Sequence, residues 1–139
     1  MILNELRKNA RVSLLEVAKK TNIPLSTVYD KVRNYEGEII KKHTSIIDFQ
    51  NLGYHARRII ALKVKKENKE NIQNFLESHP NVNSLYKINN GFDFLVEIVA
   101  RNSGAIYDIL EEIRLQNGIL KKSCFEILEE IKKEDFLIK

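Results

Sequence analysis

Residues 13–35 read SLLEVAKKTNIPLSTVYDKVRNY, and the fold of the front of the chain turns on them. Ser13-Leu14-Leu15-Glu16 has the form of a capping box, in which the Ser hydroxyl and the Glu carboxylate each satisfy an orphan backbone N–H. Leu14, Val17, Ala18 and Thr21 follow at helical spacing, which predicts a helix over about 14–21. Asn22-Ile23-Pro24 ends it, because Asn tolerates the left-handed conformation and Pro suits the first turn of a new helix rather than an interior. The next helix is predicted over about 25–35, with Val28, Val32 and Tyr35 as its apolar stripe. That leaves Ser26, Asp30 and Arg33 on the opposite face, with Thr27, Tyr29 and Asn34 at its margins.

Upstream, Ile2, Leu3, Leu6 and Ala10 recur at helical spacing and predict a first helix over about 1–9. Two short helices joined by a tight turn, with small Ala18 where they cross, make a helix-turn-helix whose second helix enters a DNA major groove. The charge agrees. Between Arg7 and Tyr35 stand 7 basic residues (Arg7, Lys8, Arg11, Lys19, Lys20, Lys31, Arg33) against 2 acidic ones (Glu16, Asp30), whereas residues 54–139 hold 14 Lys+Arg against 13 Asp+Glu. Ser26, Thr27, Tyr29, Asp30 and Arg33 are therefore candidates to touch base edges. Lys19, Lys20, Lys31, Arg7 and Arg11 are candidates for phosphate contacts that position without specifying. Asp30 is repelled by phosphates, so it either accepts from a cytosine amino group or turns back to a neighbouring Lys or Arg.

After Tyr54 the apolar residues alternate. Strands are expected over about 55–65, 82–88, 92–100 and 119–131, with helices over about 68–78 and from the Asn102-Ser103 cap to Gly118. Asn89-Asn90-Gly91 is a strong hairpin turn between the second and third strands. The expected chain is thus α+β: an N-terminal (winged) helix-turn-helix domain with a linker strand over 1–53, and a C-terminal ferredoxin-like β-α-β-β-α-β domain over 54–139. Leu95, Val99, Ile59 and Ala61 lie opposite Phe94, Val96, Ile98, Ile60 and Leu62, so both sheet faces are partly apolar while two helices cover only one. A small domain with such a second face is expected to bury it in a homodimer.

Other classes are disfavoured. No apolar run approaches the roughly 18 residues of a membrane span and no signal core opens the chain, so a cytoplasmic protein without membrane contact is expected. The single cysteine, Cys124, makes no internal disulfide, and neither a metal site nor a cofactor is expected. The glycines are too scattered for a phosphate loop.

Four segments together resemble the leucine-responsive regulatory protein / AsnC family, the feast/famine regulators, over nearly the whole chain. They are Asn9-Ala10-Arg11-Val12-Ser13; Ser26-Thr27-Val28 with Lys31-Val32; Ile40-Lys41 with Thr44-Ser45-Ile46-Ile47-Asp48 and Leu52-Gly53-Tyr54; and Gly91-Phe92-Asp93. The chain departs from the family pattern at Pro24, Asn22, Gly37 and Asn90. The resemblance implies a sequence-specific transcription regulator that binds double-stranded DNA as a dimer, often assembled into tetramers or octamers, with a rear domain that binds amino acids or related small molecules between dimers. On this chain such an effector would lie near Asn89 to Phe94. Asp93 would accept from its ammonium, Asn89, Asn90 and the Gly91 backbone would donate to its carboxylate, and Tyr86 or Phe92 would pack against its side chain. The alternative is a plain hairpin in which Asn-Gly makes the turn and Asp93 caps it.

Two rival functions share this architecture. One is an enzyme resembling siroheme decarboxylases, which would call on His43, His55, His79, Arg57 and Arg58 to hold propionates and move protons. The other is a sensor that has lost DNA binding, consistent with Pro24 and Asp30 but opposed by the basic helix face.

Overall fold

The structure, a computed structural model, describes residues 1–138. Its helices and strands follow in the order α1 (Ile2–Lys8), α2 (Leu14–Thr21), α3 (Leu25–Glu38), β1 (Ala56–Val64), α4 (Lys69–Ser78), β2 (Val82–Lys87), β3 (Phe94–Ala100), α5 (Ser103–Arg114) and β4 (Ile119–Glu126). A short 3-10 turn, Lys66–Asn68, leads into α4. Contacts divide the chain into two compact units, Met1–Ile47 with Ile131 onward, and Asp48–Glu130. The division expected after Gly53 falls inside the second unit, where Asp48 accepts from the backbone N–H groups of Gln50 and Asn51 and starts the turn that leads to β1.

In the first unit α2 begins where Ser13 Oγ accepts from the Glu16 N–H at 3.2 Å, and Glu16 is the acidic residue of its first turn. It ends in a Schellman-type turn: Asn22 is left-handed (φ 57) and the N–H of Ile23 reaches back to the Ala18 carbonyl. Pro24 caps α3 with the fixed φ it prefers. The core of this unit is Ile2, Val17, Val28 and Val32, with Leu6, Val12, Leu14, Ala18, Ile23 and Tyr35 packed around it. Helix α3 runs three residues beyond the expected Tyr35, because the N–H groups of Ile39 and Ile40 both return to the Tyr35 carbonyl. The expected linker strand has no ladder partner among the described residues of this chain, where residues 40–48 run without regular secondary structure.

The second unit is a four-stranded antiparallel sheet ordered β2-β3-β1-β4, the ferredoxin-like arrangement, with α4 and α5 on one face. Ile60, Leu62, Val64, Phe94, Val96 and Ile98 pack under Ile72, Leu76, Ile106, Ile109 and Ile113 to make its core. Asn102 caps α5 by accepting from the Ala105 N–H at 2.9 Å. Two strand ends differ from expectation. β3 starts at Phe94 rather than Phe92, because a loop with Asn90 (φ 65) and Gly91 (φ 92) both left-handed occupies 88–93. β4 stops at Glu126 rather than near Ile131, since Ile127 makes its last bond to the Arg57 carbonyl, beside the end of β1.

On the face without helices, register places Arg57, Ile59, Ala61 and Lys63 beside Leu95, Glu97 and Val99, flanked by Ser84 and Tyr86 on β2 and by Lys121, Ser123 and Phe125 on β4. Tyr86 and Phe125 are each 59% exposed there. At its centre Arg57 pairs with the buried Glu97 at 2.5 Å and with Glu130 at 2.9 Å, and lies 5.4 Å from the Phe49 ring centre. Asn83 and Ser84 donate to the other oxygen of Glu97. Burial opposes the Arg57 charge, but the bonds to Glu97 and Glu130 outweigh it and raise its pKa.

Candidate nucleic-acid interface and effector loop

A DNA-reading helix must be held from behind and left free in front. Val28 and Val32 are buried against Val17, so the opposite side of α3 faces outward. Ser26, Thr27, Tyr29, Asp30 and Arg33 are exposed on it, and Lys31 is exposed beside the apolar stripe. Among the described residues none of these side chains forms a hydrogen bond or ion pair, so their donors and acceptors are available without first breaking a protein contact. Asp30 does not make the pairing with a neighbouring cation that the sequence offered as one of its two outcomes.

The flanking cations divide into two groups. Lys19 is exposed at the end of α2, and Lys20 beside it lies 3.7 Å from Glu5, a long contact between partly solvated groups. Arg11 is exposed, its backbone N–H held by the Asn9 side chain at 3.0 Å, which fixes the entry to α2. Arg7 is engaged instead: its Nε donates to the Phe136 carbonyl at 2.9 Å and its Nη1 stands 3.4 Å from Glu134.

In the second unit, Asn89, Asn90 and Gly91 are exposed at the tip of the β2–β3 loop and Phe92 and Asp93 are half-buried at its base. Tyr86 is register partner to Leu95 one step into the sheet. The six residues therefore do cluster at one end of the sheet. Asp93 has a structural task there: its Oδ2 accepts from the Val64 N–H at 2.8 Å, its Oδ1 lies 3.3 Å from Lys69 Nζ, and its own N–H donates to the Leu62 carbonyl at 2.7 Å. The Val64 bond, with Lys69 and Lys63 adding to it against a burial cost, holds its carboxyl below the ordinary range. The sequence missed the cations beside this loop. Lys63 and Lys121 are register partners, and Lys121 Nζ stands 5.1 Å from the Phe92 ring centre. A Lys at an otherwise apolar alternating position was the available signal.

Of the groups that a tetrapyrrole decarboxylase would use, four meet protein partners, while the His55 side chain is exposed. Arg57 is held by Glu97 and Glu130, and Arg58 lies 3.4 Å from Glu126. His79 meets Glu112 at 2.8 Å and stacks on Phe75, and His43 lies 3.7 Å from Glu36. Among the described residues no group of three or more His, Cys, Asp or Glu is placed to hold a metal ion, and no helix is long and apolar enough to cross a membrane.

Comparison with known proteins fits this geometry. Residues 58–136 match the model of the Lrp/AsnC ligand binding domain and residues 1–37 that of a winged helix-turn-helix DNA-binding domain. The chain is 30% identical over 119 residues to the HTH-type transcriptional regulator FL11 of Pyrococcus horikoshii, covering 85% of this chain and 79% of that protein. It superposes on the structure of Bacillus subtilis LrpC with a TM-score of 0.84 at 26% identity, covering 94% of this chain and 92% of the other. A Neisseria meningitidis transcriptional regulator, solved as its L-Met complex, shares the fold with a TM-score of 0.88 at 18% identity, covering 95% of this chain and 88% of the other.

Proposed function

Because the chain belongs to the Lrp/AsnC family and is a DNA-binding transcription regulator of the helix-turn-helix type, we propose that it reads a two-fold symmetric operator as a homodimer and responds to a small amino-acid-like effector. The observation that carries the DNA part is the outward side of α3, where Ser26, Thr27, Tyr29, Asp30 and Arg33 are exposed and uncommitted. These side chains meet base edges in the major groove, while Lys19, Lys20, Lys31 and Arg11 hold phosphates on either side.

The dimer is formed through the sheet face that α4 and α5 leave open, where Ile59, Leu95 and Phe125 await a cover. Two recognition helices related by a two-fold axis then meet half-sites about one helical turn apart, or a multiple of it. Further assembly into tetramers or octamers brings the β2–β3 loops to contacts between dimers, where the effector binds near Asn89, Asn90, Gly91, Phe92 and Tyr86. With both Asp93 oxygens engaged at home, the loop's backbone N–H groups and its two Asn side chains supply the recognition. The L-Met bound to the Neisseria meningitidis regulator supports the amino-acid class.

The test is a gel-shift and footprint with DNA from upstream of the protein's own gene, with light scattering on the same sample. Protection of two half-sites by a dimer or larger assembly is the expected result. A monomer at micromolar concentration, or a single protected half-site, would sink the dimer reading.

A further inference from the structure

A zwitterion's ammonium group needs a carboxylate, and the β2–β3 loop has one, Asp93. Its two oxygens already serve the Val64 N–H and Lys69. The cations beside it are in the opposite condition. Lys63 and Lys121 sit directly opposite each other on β1 and β4, and register puts both on the face without helices, one step beyond Ala61 and Ser123. Both are exposed, and neither forms an ion pair among the described residues. Like charges directly opposite on a ladder repel each other. Lys121 reaches across to the ring of Phe92 in the loop itself, and Lys63 helps hold the Asp93 carboxyl below its ordinary range. Beyond them, Asn90 and Gly91, with φ of 65° and 92°, make a turn of consecutive left-handed residues at the exposed loop tip.

Resting on the effector reading above, we infer that the ligand of this loop is a small dicarboxylate, such as an acidic amino acid or its 2-oxo counterpart. One carboxylate lies between Lys63 and Lys121, the carbon chain lies against Phe92, the second carboxylate meets the backbone at Asn90 and Gly91, and the ammonium of an amino acid donates to the side-chain oxygens of Asn89 and Asn90. The anion relieves the repulsion that the empty ladder carries, so binding and stabilisation come from the same contact.

The discriminating variant is Lys121→Glu, which lets position 121 pair with Lys63 and fills the charge gap from within. The experiment is thermal unfolding of the full chain with millimolar L-glutamate, L-aspartate or 2-oxoglutarate, beside L-methionine, L-leucine, L-lysine and sodium chloride at matched ionic strength. Acidic ligands are expected to raise the Tm of the wild type by roughly 3 °C or more when well above their Kd. Lys121→Glu is expected to match or exceed the wild-type Tm without ligand and to lose the shift. A shift from neutral amino acids equal to or larger than that from acidic ones overturns the charge class while leaving the effector reading intact. No shift from any amino acid in an assembled oligomer overturns both. A shift that persists in Lys121→Glu, or one that sodium chloride reproduces, removes the lysine pair from the site. Loss of DNA affinity in Lys121→Glu with no ligand shift in the wild type assigns the pair to phosphate contact and overturns the inference.

Discussion

Asp93 and Val64 are joined by a 2.8 Å hydrogen bond from a backbone N–H at the end of β1 to a carboxylate at the base of the β2–β3 loop. The bond sits where the β1–β4 register shifts between Lys63 and Val64, so the side chain satisfies a donor beside the bulge. Asp93→Ala is expected to cost about 1–3 kcal/mol at neutral pH, since it strands a partly buried N–H. The Val64 bond depresses the folded-state pKa below the unfolded one, so this stability is present above about pH 4 and is lost as pH falls through the folded value. Urea titrations of the wild type and variant should therefore differ most at neutral pH and converge on strong acidification. A gap of constant size down to the most acid pH would show that the carboxylate's charge plays no part.

Arg57 and Glu97 make the second relationship that local reading does not reveal. Their side chains are 14% and 9% exposed, so removing one partner leaves the other charge with little water. Arg57→Ala is expected to cost about 3–5 kcal/mol, whereas Arg57→Met combined with Glu97→Leu should cost much less than the sum of its single changes. Denaturant midpoints across the double-mutant cycle measure this. Additive costs would mean that the pair contributes packing and no charge coupling.

Two glycines should respond with opposite signs. Gly118 has φ +97 and an added Cβ would come within 2.6 Å of the Asn68 side chain, so Gly118→Ala is expected to destabilise by about 2 kcal/mol. Gly37 lies in α3 with open space around it, so Gly37→Ala should stabilise by roughly 0.5 kcal/mol or more through the unfolded chain. Thermal unfolding of the two variants checks both directions, and a loss at Gly37 would mean that α3 needs its flexibility there.

The parts of this molecule that could be read in advance are those whose physics is local. Helix α2 lies on its expected 14–21 because Ser13, Glu16 and Asn22 act within a few residues of one another, and the sheet order follows from alternation and short turns. The parts that could not be read depend on a distant partner. Asp93 finds Val64 29 residues away and Arg57 finds Glu97 40 residues away, and no motif encodes those meetings. β4 ends where β1 runs out, a limit set by another strand, and Ile131 onward groups with the front of the chain. The α3 face was legible by type but not by state: spacing placed Asp30 outward, and the structure shows it without the neighbouring cation offered to it.

That exposed Asp30 sharpens the account of DNA reading. Arg33 projects on the same outward side, with no partner among the described residues, while Lys19 and Lys20 end the preceding helix. Arg33→Ala is expected to weaken cognate binding by about 1–3 kcal/mol and to relax preference at one base position. Lys19→Ala and Lys20→Ala should weaken cognate and random DNA alike, each flattening the salt dependence by roughly one unit of slope. Lys20 should show the smaller effect, because its 3.7 Å contact with Glu5 already draws on its charge. Asp30→Ala, which removes both the charge and the acceptor, separates the two roles open to the carboxylate. If it accepts from a cytosine amino group, the change lowers affinity for the cognate site alone; if it only repels phosphates, affinity for every sequence rises. Gel-shift titrations with cognate and scrambled duplexes at two salt concentrations read all four variants. Equal losses on both duplexes for Arg33→Ala would move Arg33 from the base edges to the phosphates and leave Ser26, Thr27 and Tyr29 to carry the sequence reading.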